Sequence, residues 1–143
     1  MTQNTKILLD TNILVYASNS DSQFCSICRD LLAKNFDFFI TDKSLLEFYR
    51  VLTGILKISV DQALELINFY TNNTNYRILM ASGDTNRLTF ELIKDYQAKS
   101  GKVFDLNILA IAVENNIDIL CTVNLKNFPK LPQIKILNPE QID

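Results

Sequence analysis

Along this chain, short solid apolar runs alternate with longer stretches in which apolar residues recur every three or four positions. The short runs are Lys6–Asp10 (KILLD), Asp37–Thr41 (DFFIT), Tyr76–Met80 (YRILM) and Asp118–Thr122 (DILCT), with a brief fifth at Ile134–Leu137. Their length and density predict strands, and Ile7, Leu8 and Leu9 in succession read as a strand buried on both faces. The longer stretches predict helices. One runs from Asn12 to Ser18, and a second from a cap at Asp21 or Ser22 to about Lys34, with Phe24, Cys28, Leu31 and Leu32 on one face. A third is capped by Thr41 or Asp42 and extends to about Leu56 through Leu45, Leu46, Phe48, Tyr49 and Leu52. Ser59 with Gln62 resembles a capping box ahead of Ala63, Leu64, Leu66, Ile67 and Tyr70. Asp84 is placed to cap a long helix to Lys99 that Gly101 would end, and Asp105 lies in the first turn of a last helix, Phe104–Asn116.

Strands and helices taking turns along a chain favour one sheet with helices on both faces. The expected fold is therefore α/β: a doubly wound, mostly parallel sheet of four to five strands flanked by helices, in one domain over residues 1–143. With only three glycines and three prolines, the chain has little material for long linkers. Its longest apolar run is far short of a membrane span, and the opening MTQNTK does not resemble a secretory leader, so a cytoplasmic location is expected. Three cysteines, an odd number, do not suggest a disulfide framework. Cys25 and Cys28 form a CxxC on an amphipathic helix, which without a second pair reads as packing.

Charge narrows the chemistry. A net charge of −2 argues against a protein held to nucleic acid by bulk charge alone. Histidine is absent, which removes serine and cysteine triads, histidine general bases and zinc–histidine sites. Catalysis, if any, must rest on carboxylates, amides, hydroxyls, lysine or arginine.

Three carboxylates stand where a parallel sheet would gather them. Asp10 directly follows the first strand, at the rim where α/β folds bind ligands. Glu47 lies within SLLEFY, its neighbours Leu45, Leu46, Phe48 and Tyr49 leaving a narrow polar stripe. Asp105 opens the apolar helix VFDLNILAIA, and Thr122, Asn124 and Asn127 follow the fourth strand in TVNLKNF. Each has a plainer explanation: Asp10 as a helix cap, Glu47 as a solvated helix residue, Asp105 as a charge favoured by the helix dipole, and the asparagines as turn formers. Those explanations do not account for the co-occurrence of the acids. Clustered carboxylates repel, so one must take a proton or a cation must neutralise them, and hard oxygen donors suit Mg²⁺ or Mn²⁺. Thr11 and Asn12 read as shaping the turn and hydrogen-bonding Asp10. Arg50, one turn beyond Glu47, and Lys102 and Lys126 are candidate phosphate contacts or solvated surface charges.

The ordered set LLDTNILVYA, SLLEF, FDLNILAIA, LCTVNLKNF and IKILNP resembles the PIN-domain ribonucleases, and most closely the small VapC-type toxins of toxin–antitoxin pairs. DTN alone is unspecific, since it recurs at Asp84–Asn86. The resemblance implies divalent-metal-dependent endonuclease action on RNA, leaving a 5′-phosphate and a 3′-hydroxyl. It implies Asp10, Glu47 and Asp105 as the metal-site acids, a homodimer, and a small antitoxin that fills the acidic groove with an arginine or lysine. In the family's last motif an aspartate is common at the place of Asn124, of Asn127 or of both. Asparagine at both predicts one firm ion held by Asp10, Glu47 and Asp105 with help from Asn124, and a second ion that is weak or depends on substrate phosphate. The same departure leaves open a PIN-like module that binds RNA or a partner without cutting. An aspartyl-phosphate on Asp10 ranks below both readings, because Asn12 stands where a haloacid-dehalogenase-like phosphatase has its second aspartate.

Overall fold

The computed structural model describes residues 5–143; Met1–Asn4, part of the segment read above for a leader, lie outside the described residues. Five strands, β1 (Lys6–Leu9), β2 (Asp37–Thr41), β3 (Tyr76–Leu79), β4 (Ile119–Cys121) and β5 (Lys135–Leu137), form one sheet in the order β3-β2-β1-β4-β5. Every pairing is parallel, with Leu8 opposite Phe39 on one side and Leu120 on the other. Six helices connect the strands: α1 (Thr11–Ala17), α2 (Cys25–Leu32), α3 (Asp42–Gly54), α4 (Val60–Asn72), α5 (Gly83–Tyr96) and α6 (Lys102–Glu114).

The pleat of β1 explains the layering. Ile7 and Leu9 face a core shared with Phe38, Ile40, Ile119 and Cys121 of the sheet and with residues of α1 to α4, among them Leu14, Cys28, Phe48 and Ala63. Leu8 points the other way, into a core with Phe39, Leu120 and the α5–α6 residues Leu92, Leu106 and Leu109. A central strand covered twice has no reason to alternate apolar and polar residues, and KILL does not. The run Leu106–Ala112 of α6 is likewise buried throughout. From β1 the chain first builds β2 and β3 on one side and later β4 and β5 on the other. The crevice between β1 and β4, outside their carboxyl ends, is thus the switch point at which open α/β sheets bind ligands.

Several element ends differ from the sequence expectation. α2 starts at Cys25, not after a cap at Asp21 or Ser22. Asn19 accepts the Asp21 amide at 3.2 Å and Ser22 the Phe24 amide at 3.1 Å, so these side chains stabilise turns ahead of the helix instead. α5 is capped by Ser82, in a reciprocal box with Thr85, rather than by Asp84, which sits in the first turn paired with Arg87. It ends at Tyr96 because Gln97 takes the left-handed conformation at φ 51°; Gly101, at φ −61°, precedes α6 and does not close α5. Ser59 caps α4 by accepting the Gln62 amide at 3.2 Å, but Gln62 does not return the reciprocal bond of a capping box. The three cysteines are buried free thiols, and burial pushes Cys28 up to about 11, which fits a packing role. Among the described residues no helix is long and apolar enough to cross a membrane.

Candidate active site

Asp10 is where β1 stops and α1 begins. Its backbone amide donates to Cys121 O at 2.9 Å, continuing the β1–β4 pairing, while its side chain caps α1 by accepting the Thr11 amide at 2.8 Å. The other carboxylate oxygen accepts the Thr122 hydroxyl at 2.9 Å and the Asn12 amide nitrogen at 3.4 Å. Asn12 in turn donates to Thr122 Oγ1 at 3.1 Å and accepts the Val123 amide at 3.3 Å. Asp10 is 9% exposed and Thr122 fully buried, and among the described residues no buried side-chain polar atom lacks a partner. Thr11, Asn12 and Thr122 therefore hold Asp10 in place. The cap role and a site role coexist, because capping occupies mainly one oxygen.

Glu47 projects from the solvent-facing stripe of α3 toward the same crevice, where its Oε2 accepts the Thr11 hydroxyl at 3.2 Å. Thr11 thereby links the first two acids, its amide on Asp10 and its hydroxyl on Glu47. Asp105 comes from the first turn of α6. All three acids line one open cavity of about 650 Å³, together with Thr11, Asn12, Arg50, Asn124 and Asn127.

The acids feel one another. Burial raises the Asp10 carboxyl above the usual carboxylate range; the Thr122 and Thr11 hydrogen bonds oppose this, and the Glu47 charge adds to it. Asp105 is pushed up to about 6, first by burial and then by the charges of Asp10 and Glu47, with Lys102 acting in the opposite sense. Carboxylates that hinder one another's ionisation would be relieved by a proton or a nearby cation. Among the described residues no three acidic, histidine or cysteine side chains stand close enough together to hold an ion by themselves. A divalent ion here would need waters or substrate oxygens to complete its shell, as Mg²⁺ commonly has with one or two carboxylates. The hard-oxygen donor set present therefore fits a divalent ion held partly through water.

The structure separates some of the candidates. Thr122 does not line the cavity; it works from beneath, on Asp10. Lys102 and Lys126 line an adjoining depression beside Leu106 and Phe128, which meets the acidic cavity at Asn127. Lys43, Asn107 and Phe104 are among the lining residues that the sequence pattern does not single out. Lys43 reaches the cavity from α3, with Nζ donating to Asn107 Oδ1 at 3.1 Å. Asn107 was hidden within an apolar helix, though an asparagine amid NILAIA is itself a signal, since a buried amide needs partners. Phe104, beside Asp105, is 67% exposed at the cavity mouth, and only the fold distinguishes it from the core aromatics.

The chain is a five-stranded parallel α/β domain with three acids lining a cavity at its switch point. The PIN domain family model matches residues 7–133, and the chain belongs to that family. Its fold is also that of VapC-type toxins. A VapBC2 complex from Rickettsia felis, bound to a DNA fragment from their promoter, is 26% identical, covers 94% of this chain and 98% of its own, and superposes with a TM-score of 0.67. A toxin–antitoxin complex from Klebsiella pneumoniae is 24% identical over 95% of this chain and 99% of its own, with a TM-score of 0.65. VapC20 of Mycobacterium tuberculosis, described as a Sarcin-Ricin loop cleaving toxin, is 15% identical over 80% and 86%, with a TM-score of 0.67. No curated protein sequence matches the chain.

Proposed function

We propose that this protein is a divalent-metal-dependent endoribonuclease, acting in the cytoplasm as the toxin of a type II toxin–antitoxin pair. The observation that carries the reading is the convergence of Asp10, Glu47 and Asp105, from the end of β1, from α3 and from the start of α6, on one cavity at the switch point. Membership of the PIN family and the VapC-like fold support it. Asp10, Glu47 and Asp105 would hold Mg²⁺ or Mn²⁺, with Asn124 contributing an amide oxygen directly or through water. The bound ion would polarise the phosphodiester, lower the pKa of a bound water and stabilise the leaving oxygen.

The chain's own residues prepare that chemistry. Thr122 and the Thr11 amide favour the charged form of Asp10 and fix its plane. The Thr11 hydroxyl orients Glu47 toward Asp10. Arg50, on the cavity wall, is placed to attract the RNA backbone. Lys102 and Lys126, in the adjoining depression, are placed to follow the strand beyond the cut, past Asn127. A small antitoxin presenting a basic side chain to the acids would silence the site by occupying the cation's place. The functional form is proposed to be a homodimer.

One observation favours a second reading, a PIN-like module that binds RNA or protein without cutting. Asn124 and Asn127 both line the cavity and bring no negative charge to it. Incubating mixed RNA with the pure protein in Mg²⁺ or Mn²⁺, beside Asp10→Asn, separates the two. Metal-dependent cleavage that Asp10→Asn abolishes is the expected result. Equal inertness of the two proteins in both metals, with RNA still bound, would leave the binding module standing.

A further inference from the structure

We infer that Lys43, aimed into the cavity by Asn107, grips a backbone phosphate of the bound RNA. The inference rests on the nuclease or RNA-binding reading of the same cavity and assigns a residue pair that neither the motif pattern nor the acids identify.

The geometry is a relay of fixed sense. Thr89 Oγ1 donates its proton to Thr85 O at 2.9 Å, so toward Asn107 it can only accept. Asn107 Nδ2 donates to it at 3.0 Å, which fixes the amide with its nitrogen toward Thr89 and its oxygen toward the cavity. That oxygen receives Lys43 Nζ at 3.1 Å. Thr89 is 6% exposed and Asn107 7%, so a buried, fully oriented chain holds the tip of an otherwise exposed lysine. Lys43 and Asn107 both line the cavity that contains Asp10, Glu47 and Asp105.

Fold stability does not call for a lysine here. Lys43 lies in the first turn of α3, where the helix dipole disfavours a cation. Among the described residues no carboxylate stands within ion-pair distance of it; Arg87 with Asp84 is the pair found. An ammonium has three donors, and Asn107 takes one. The remaining donors suit the non-bridging oxygens of a phosphodiester. Lys43, Glu47 and Arg50 follow one another at one-turn spacing on α3 and share the cavity, so cations flank the acid on that helix. A strand whose scissile phosphate meets the acids would thus find a cation on either side of Glu47. Lys43 makes the contact, and Asn107 is a positioning residue.

The test measures binding apart from cleavage, by fluorescence anisotropy of a short labelled single-stranded RNA with Ca²⁺ replacing Mg²⁺ or Mn²⁺, the strand being checked intact on a gel. Lys43→Met is expected to weaken binding about 10-fold whatever the RNA sequence. It should also reduce the slope of log affinity against log salt by about 0.7, the loss of one phosphate contact on a single strand. Asn107→Leu should reproduce both changes while circular dichroism shows the fold retained, and the double variant should bind no more weakly than Lys43→Met alone. Lys43→Arg should restore the salt slope. An unchanged slope in Lys43→Met, with wild type binding RNA, overturns the assignment and leaves the nuclease reading intact. Additive losses in the double variant overturn the positioning role of Asn107. Failure of the wild type to bind RNA at all overturns this inference together with the reading beneath it.

Discussion

Thr122 Oγ1 donates to Asp10 Oδ2 at 2.9 Å, joining residues 112 positions apart at the adjacent ends of β4 and β1. The same hydroxyl accepts from Asn12 Nδ2 and from the Asn124 amide, each at 3.1 Å, so its one donor and two acceptor positions are all used. Through one buried oxygen, the first strand's acid is set relative to the loop that carries Asn124.

Thr122→Val keeps the shape and removes that oxygen. Asp10 then loses its strongest side-chain support in a site where burial already opposes its charge. The expected cost is about 1–3 kcal/mol of stability, the usual consequence of leaving buried polar groups without a partner. Mn²⁺ affinity at neutral pH should fall alongside, and Thr122→Ser should recover most of both. Chemical denaturation and titration calorimetry check the pair of effects. Full metal affinity in Thr122→Val would show that Asp10 is held adequately by the Thr11 amide.

Asp105 gives the site a pH signature in the metal-free protein. Its folded value, raised to about 6 from 3.8, means that folding favours the protonated acid. The favourable contribution is fully present below pH 3.8 and is lost as pH rises through about 6. Asp10 is shifted in the same direction. With chelator present, the melting temperature should therefore rise when pH is lowered from 7.5 to 5.5. Asp105→Asn, uncharged at either pH, should flatten most of that rise. Mn²⁺ should reverse the trend, since metal binding needs the ionised acids. A wild-type melting temperature that falls over this interval in chelator would contradict the raised Asp105 and Asp10 values that burial and, secondly, mutual repulsion produce.

Much of this architecture was legible because runs as short as KILL, FFI and ILC fit strands buried on both faces better than helices, and element order did the rest. Asp10 and Asp105 were legible because they follow or open apolar elements, and Glu47 because apolar neighbours leave it a narrow polar stripe inside α3. Helix ends were less so. Aspartate and serine serve equally in caps, turns and first turns, so Asp84 was read as the cap that Ser82 provides. Gly101 was read as a helix stop because glycine most readily adopts positive φ, yet Gln97 adopts it. Lys43 was illegible for a different reason: its partner Asn107 is 64 residues away and meets it only once α6 packs near the carboxyl end of β2.

The CxxC supplies a plain test of the core. Cys25 is 6% exposed, and Cys28 and Cys121 are fully buried. Burial raises the Cys28 and Cys121 thiols, which suppresses the reactive thiolate further. A chromogenic disulfide reagent should label none of the three in native protein during the time that it labels all three in denaturant. Rapid labelling of Cys25 and Cys28 in the native state would mean that α2 opens locally, and would return the CxxC to consideration as a functional pair.

If the proposed function holds, Asn124 would decide how many ions the cavity can take. It sits on its rim just beyond Thr122, where its backbone amide is anchored to the Thr122 hydroxyl at 3.1 Å, so the side chain starts from a fixed point. An amide oxygen there can accept water or weakly meet a cation, but it leaves only the three acids to offset positive charge. Asn124→Asp adds a fourth carboxylate of nearly the same shape. In the metal-free protein the added charge should raise Asp10 and Asp105 further and lower stability at pH 7.5 by roughly 0.5–1 kcal/mol, the scale of like-charge neighbours that remain partly solvated. With Mn²⁺ the order should invert: calorimetry should show tighter binding or a second equivalent, and RNA cleavage should rise. If stoichiometry and affinity both stay at the wild-type values, Asn124 points away from the acids, and any second ion would have to be held by the substrate phosphate instead.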